Sequence, residues 1–431
     1  MRRDCHTESI MSFLSRSSFL IAALAPALAL AQPDPAPPTE PPPAPPPVEP
    51  IQDPKPVVVA PPVQEAPPKE KHEEKDHKDH KKEDKPWYER FTIRGYMQAR
   101  FNRIYATNDD FKNDLGDKTI AKNNSFSIRR ARFVLSGDIA PFLAVYLQTE
   151  ASGADVKMRD WYGDIFLDKD KEFRIRVGQS KVPFGWENMQ SSQNRAPLDR
   201  SDPINSAAPG ERDLGAFAYW ETKHARKVFK HLVDDGLKGS GDYGVLALGI
   251  YNGQTLNVDD KNENRHVVVR GTYPLELGKQ ILEVGANGYV GKFTIERDAG
   301  IAGKANILDA RVGAHVVLYP QPIGFQLEYN VGKGPELTGD TVADENLHGG
   351  YAMVIGHVGD FFPFVRGAYY DGALKTEKNA QHHETTELIV GSEWHFHKRI
   401  ELTVEVDHAR RRIAEDEVRG TIVRGQVQLN Y

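Results

Sequence analysis

Residues 91–102 read Phe-Thr-Ile-Arg-Gly-Tyr-Met-Gln-Ala-Arg-Phe-Asn, and two chemistries alternate through them without a miss. Phe91, Ile93, Gly95, Met97, Ala99 and Phe101 are apolar or small; Thr92, Arg94, Tyr96, Gln98, Arg100 and Asn102 are polar or amphipathic. Successive side chains of an extended strand point to opposite faces, so a period of two sets these groups against different solvents. Apolar outside and polar inside, over strands of about ten residues, is the pattern of a membrane-spanning β-barrel. The expected fold is therefore all-β: a transmembrane antiparallel barrel of sixteen strands. Their starts fall near Phe91, Phe126, Leu143, Trp161, Phe173, Leu214, Gly244, His266, Leu282, Ile307, Phe325, Gly349, Phe362, Glu387, Ile400 and Thr421.

The links between these segments alternate in length. Asp138 to Pro141, Asp168 to Glu172, Pro274 to Lys279, Tyr319 to Gly324, Gly359 to Phe361 and His397 to Arg399 are short. Tyr105 to Ser125, Ser180 to Arg212, Asn252 to Arg265 and Gly332 to Leu347 are longer and fall between them. Short turns at one end and long loops at the other are expected of an outer-membrane barrel. Thr222 to Asp242 breaks the rule, being long and charged where a turn belongs; either a small subdomain sits there or the strand count slips. The last strand sets Thr421, Val423, Val427, Leu429 and Tyr431 outward against Arg424, Gln426, Gln428 and Asn430, and its aromatic end resembles an outer-membrane sorting signal. A soluble β-sandwich would want its apolar face buried and would explain neither the loop asymmetry nor the aromatic ending.

Upstream of the barrel, residues 1–31 have the plan of a secretory signal: Arg16, the apolar run Phe19 to Leu28, then Ala29-Leu30-Ala31 as a small-residue cleavage site. Residues 32–86 form the expected periplasmic linker, and 87–431 the barrel domain. Proline and alanine dominate Gln32 to Pro68, which makes an extended, solvated spacer. Lys69 to Lys85 carries seven lysines, seven acids and three histidines (His72, His77, His80), with no spacing that fixes a metal geometry. Order is expected from the interfacial pair Trp87-Tyr88. The one cysteine, Cys5, precedes the apolar run, so the mature chain has no disulfide and no thiolate site. A mean hydropathy of −0.55 does not argue for solubility, because a barrel needs only alternate residues to be apolar. The net charge of −6 excludes a generally basic nucleic-acid binder.

Arginines on the polar faces carry the chemistry. Arg94 and Arg100 come from the first strand, Arg130 and Arg132 from the second, Arg174 and Arg176 from the fifth; Arg270, Arg311 and Arg424 follow. Arginine in hydrocarbon is costly, so its placement opposite Phe, Ile and Val turns it towards water. A guanidinium fork fits phosphate or carboxylate oxygens, and a wall of them raises the local anion concentration. Against this stand the inward acids Glu150, Asp160, Asp164, Glu283, Glu328, Glu387, Glu393, Glu401, Glu405 and Asp407. If they pair with the arginines, the array is scaffolding. Ser180 to Arg212 is too long for an ordinary connection, and folded into the lumen it would set the pore width. It carries Lys181, Arg195, Arg200 and Arg212 beside Glu187, Asp199, Asp202 and Glu211. Catalysis is not expected, since His395 and His397 lack a serine partner. No cofactor and no metal are expected.

The stretch Ile128-Arg129-Arg130-Ala131-Arg132-Phe133 with Gly137, and Arg176-Val177-Gly178-Gln179-Ser180-Lys181-Val182-Pro183-Phe184-Gly185 with the loop after it, resemble the phosphate-selective porin O and P family of bacterial outer membranes. The resemblance spans Phe91 to Tyr431. It implies a trimeric sixteen-stranded barrel in a Gram-negative outer membrane, with the third long loop folded inward and lysines and arginines conducting phosphate or polyphosphate. On this match Arg130, Arg132, Arg176 and Lys181 are expected at the lumen or constriction. The expectation is a passive channel, embedded in outer-membrane lipid, for small anions of the phosphate class. The alternative is a general porin with an envelope-structural role, its Pro-rich tail reaching the peptidoglycan.

Overall fold

The computed structural model describes residues 86–106, 125–152, 155–414 and 416–431. The expected leader and the linker through residue 85 lie outside the described residues. One sheet closes on itself. It contains seventeen hydrogen-bonded strands; the two-residue strand Ala302–Gly303 pairs in parallel, and the other sixteen are antiparallel staves. These are β1 (Phe91–Ala106), β2 (Ser125–Ala140), β3 (Leu143–Ser152), β4 (Asp155–Phe166), β5 (Phe173–Lys181), β6 (Arg212–Trp220), β7 (Leu246–Tyr251) and β8 (His266–Leu277). They continue with β9 (Gln280–Thr294), β10 (Asn306–Leu318), β11 (Ile323–Thr338), β12 (Thr341–Gly356), β13 (Phe361–Ala373), β14 (His382–His397), β15 (Ile400–Ile413) and β16 (Asp416–Asn430). All sixteen expected strands are present.

The alternation decides which face is which. On β1, Tyr96, Gln98, Arg100 and Asn102 are buried while Ile93 is 65 % exposed. On β16, Arg424, Gln426 and Gln428 are buried, and Val423, Val427 and Tyr431 are exposed. Exposed Val, Leu and Ile side chains recur around the outside, from Ile128 and Val177 through Leu248, Val290 and Val331 to Val390 and Val404. That band is what hydrocarbon solvates. Rings such as Phe173 on Trp220 and Phe361 on Trp394 stack at its turn end, where an aromatic girdle belongs.

β1 and β16 seal the barrel in continuous register from Tyr96 opposite Asn430 to Ala106 opposite Gly420. Gly95 exchanges backbone bonds with Tyr431 (2.9 and 3.0 Å). A Cβ at Gly95 would sit 2.2 Å from the Arg132 carbonyl and 2.6 Å from the Tyr431 ring, so only glycine fits under that ring. No edge is left open to lipid.

Two expectations about links change. Gly332 to Leu347 is not a long loop: β11 and β12 run on to Thr338 and from Thr341 as one tall hairpin. Likewise β16 begins at Asp416, five residues before the expected start. Beyond the bilayer the outer face has no reason to be apolar, so the period-two marker disappears while the strand continues. The charged insert after β6 is resolved as helix, with no slip in the count. Helix α3 (Lys223–Asp234) follows the single helical turns α1 (Trp186–Met189) and α2 (Asp202–Asn205). Thr222 caps α3 by accepting from the Ala225 amide at 3.2 Å. Its buried Ala225, Val228, Phe229 and Leu232 pack with Trp186 from the long loop and with Ile281, Val317 and Tyr319 from β9 and β10 to the turn after it.

Candidate functional site

Segment 182–211 connects β5 to β6, and its polar atoms bond to inward residues of strands far apart around the barrel. Glu328 on β11 accepts from the backbone amides of Trp186 (2.6 Å) and Glu187 (3.0 Å). Arg366 on β13 donates to Glu187 (2.8 Å), and Arg311 on β10 donates to Ser206 Oγ (2.9 Å). Tyr96 on β1 meets Ser192 at 2.6 Å, and Asn330 on β11 donates to the Pro203 carbonyl at 3.0 Å. Asp199 gathers three guanidinium groups: Arg100 at 3.0 Å, Arg424 at 2.5 Å and Arg129 at 3.8 Å. Fully buried charges need such partners, because desolvation is expensive.

Most of the expected site arginines are paired. Arg132 meets Glu150 at 2.6 Å, with Arg159 (2.5 Å) and Arg130 (3.7 Å) on the same carboxylate. Arg130 also donates to Gln98 at 3.0 Å. Arg176 and Asp164 form a fork-to-fork pair at 2.8 Å for both bonds. Arg174 is held by Asp242 (3.0 Å) and Glu221 (3.4 Å), both on the insert that carries α3. Arg212 bonds Asp160 at 2.9 Å and shares Glu211 with Arg200. Arg200 also donates to the Glu187 (3.2 Å) and Gln190 (3.0 Å) carbonyls. Arg195 donates to the Pro197 (3.0 Å) and Leu198 (2.9 Å) carbonyls. Lys181 gives its ammonium to three carbonyls, Asn188, Met189 and Gln190, at 2.8–2.9 Å. It caps the end of α1 and spends all three protons there.

Arg94 is different. It is exposed, donates one hydrogen bond, to Tyr146 Oη at 3.2 Å, and has no carboxylate partner among the described residues. Arg94 lies over the Tyr146 ring, Tyr146 stacks on Tyr162 at 5.2 Å, and Arg176 covers Tyr162 at 3.7 Å. Cation–π contacts at both ends hold this four-member wall in place. It lines a cavity of about 340 Å³ whose charged lining is Arg94, Arg132, Arg176, Lys181 and Arg212 against Asp160 and Asp242. A second space of about 340 Å³ shares Tyr146 and Tyr162 and reaches Arg90 and Thr92 at the turn end. Water and small ions therefore find room beside β1–β5.

Sequence reasoning missed Arg129, Arg159 and Arg366. The first two sit on bulges: Gln98 and Ala99 pair with Arg130 and Ile128, and Gln148 and Thr149 with Asp160 and Met158. Each bulge turns two adjacent charged side chains inward, Arg129 with Arg130 and Arg159 with Asp160. The signal was in the phase of the apolar residues, which falls on 126 and 128 and then on 131 and 133. Arg366 hides in a strand whose inner face is itself apolar: Phe362 and Phe364 pack against Ala196 and Ile204 of the long segment.

The profile of the family described as Phosphate-selective porin O and P matches residues 97–431. The chain belongs to that family. It is an outer-membrane porin, a channel-type fold. No curated protein matches in sequence. Among solved structures, the chain is similar to the outer-membrane channel DcaP of Acinetobacter baumannii (10 % identity, 79 % of this chain and 97 % of that one, TM-score 0.49). It is similar also to OmpT, an outer-membrane protein of Vibrio cholerae (9 %, 79 % and 98 %, 0.46), and to an anion-selective porin from Comamonas acidovorans (12 %, 79 % and 99 %, 0.45).

Proposed function

We propose that this porin is a passive channel for small hydrophilic anions, phosphate among them, with modest rather than strict selectivity. The observation that carries the reading is the cavity beside β1–β5, where five cationic side chains face two acidic ones and Arg94 has no carboxylate partner among the described residues. Its cations attract anions, and the carboxylates behind them (Glu150, Asp164, Glu211) weaken that attraction enough for release. Segment 182–211, anchored to β1, β10, β11 and β13, acts as the constriction. Arg130, Arg132 and Arg176 hold its charged rim in shape, and Lys181 holds the loop itself.

In this reading residues 1–31 direct export, residues 32–86 form a periplasmic tail that touches peptidoglycan, and three copies assemble as the resemblance implies. The deciding experiment is a reversal potential in planar bilayers under a salt gradient, first with chloride and then with phosphate. An anion-selective potential is expected, and a cation-selective one would overturn the reading. The family's phosphate preference holds only if phosphate carries more current than chloride at equal activity.

A further inference from the structure

Outside the barrel, the outer faces of β15 and β16 change character towards the loop end. Along β15 the outward residues run Val404, Val406, His408, Arg410, Arg412; along β16, in the opposite direction, Val427, Val423, Thr421, Arg419, Glu417. The register sets Arg410 directly across from Arg419, Arg412 across from Glu417, and Glu384 of β14 across from Arg412. Glu417 takes Arg410 and Arg419 at 2.7 Å each, and Glu384 takes Arg412 at 2.9 Å. Three guanidinium groups thus face outward, Arg410 and Arg419 on Glu417 and Arg412 on Glu384. Arg410, Arg412 and Arg419 remain 35 %, 43 % and 56 % exposed.

The patch belongs to a different surface from the pore. Arg411, between Arg410 and Arg412, points inward and is buried, as is Arg424. The patch begins where the lipid-facing valines stop, so its height is that of the head groups. Like charges directly opposite on a sheet repel, and a phosphate beside Glu417 would add a second bridge between Arg410 and Arg419. Elsewhere on the outer face at this end, Lys333 has its own acid, Asp344, at 3.9 Å.

We propose that this arginine patch binds the phosphate of a lipid head group in the outer leaflet. Guanidinium forks match phosphate oxygens, and acyl chains of the same molecule would run down the surface of Leu388, Val404, Val406 and Val423. That continuity between charge and apolar wall is why the ligand is a lipid and not a dissolved anion.

The test uses the full-length porin in neutral detergent, with native mass spectrometry counting bound lipid A in its bisphosphorylated form and after removal of both phosphates. Wild type is expected to retain the phosphorylated form about tenfold better, and Arg410→Gln with Arg419→Gln is expected to erase that difference. Single-channel conductance of the double variant should match wild type, because neither residue faces the bore. Should the double variant fail to insert, Arg419→Gln alone decides on the same readout. Equal retention of the dephosphorylated lipid, unchanged retention by the variant, or full competition by millimolar inorganic phosphate would each overturn the proposal.

Discussion

The two sides of this bore use the same residue types for opposite ends. Beside β8–β13 the interior is filled. Trp186 donates its indole N–H to Glu283 (3.0 Å), as Tyr319 does its hydroxyl (2.5 Å), while Asp309 accepts from Tyr289 (2.7 Å) and Lys375 (2.6 Å). The apolar side of α3 closes the turn end. Beside β1–β5 the arginines instead surround open space. A buried cation in a filled wall is a strut, and only one whose donors are uncommitted next to water can handle a passing ion. Position relative to segment 182–211 and α3, more than side-chain identity, separates the two roles.

The strongest way to break the contrast is to remove its central strut. Asp199→Ala strands Arg100, Arg129 and Arg424 without their shared carboxylate. A loss of about 3–5 kcal/mol is expected, read as a lower midpoint in denaturant. Unchanged stability would mean that segment 182–211 is held mainly by other contacts.

Phe229→Ala comes next. It removes a large side chain from the cluster under α3, at a cost of about 3 kcal/mol, and should free the turn end of the filled side. Single-channel conductance should rise; a conductance equal to wild type would show that ions never use that side.

On the open side, Arg94→Glu reverses a charge that has no acid to lose among the described residues. A drop of about fivefold in the anion-to-cation permeability ratio is expected, corresponding to about 1 kcal/mol at the cavity wall. Lys181→Glu instead should act through the loop's stability, with noisy or unstable conductance rather than a clean change of selectivity.

The smallest effect concerns pH. Glu221 is pushed up to about 7, by burial first and by Asp242 second, whereas Asp242, which burial alone would raise, is drawn down to about 2 by Arg174 together with bonds from Glu221 and the Gly244 amide. Folded Glu221 keeps its proton where the unfolded chain has already lost it. Its contribution to stability is therefore present at low pH and lost as pH rises from the ordinary carboxylate value through about 7. Amide exchange in α3, corrected for the intrinsic rate, should quicken from pH 5 to pH 8, and Glu221→Gln should flatten that change.

Sequence made the barrel legible because hydrocarbon is an uncompromising solvent. Wherever a strand crosses it, as at Phe91 to Asn102, one face must be apolar, and that face was enough to locate all sixteen strands. The mark faded where the solvent changed, at the tall β11–β12 hairpin and at Asp416 to Gly420, and where both faces were apolar, as around Phe362 and Phe364. The arginines' inward direction was legible for the same reason. Their partners were not: Arg424 and Arg100 meet on Asp199 of a connecting segment, and no local pattern records a contact of that kind. Nor did any periodicity mark Arg94 as an arginine that faces the cavity with no acid beside it among the described residues.

The seam between β1 and β16 also governs how the molecule reaches its native state. Every other neighbouring pair of staves joins segments consecutive along the chain, whereas this pair joins the two most distant ones. Loop-closure entropy makes that the slowest contact to form. Until it zips, two bare rows of amide and carbonyl groups are exposed and apt to pair with other chains. The nascent porin must therefore be shielded on its way to the membrane, and insertion ends with a single late event that locks all sixteen staves at once.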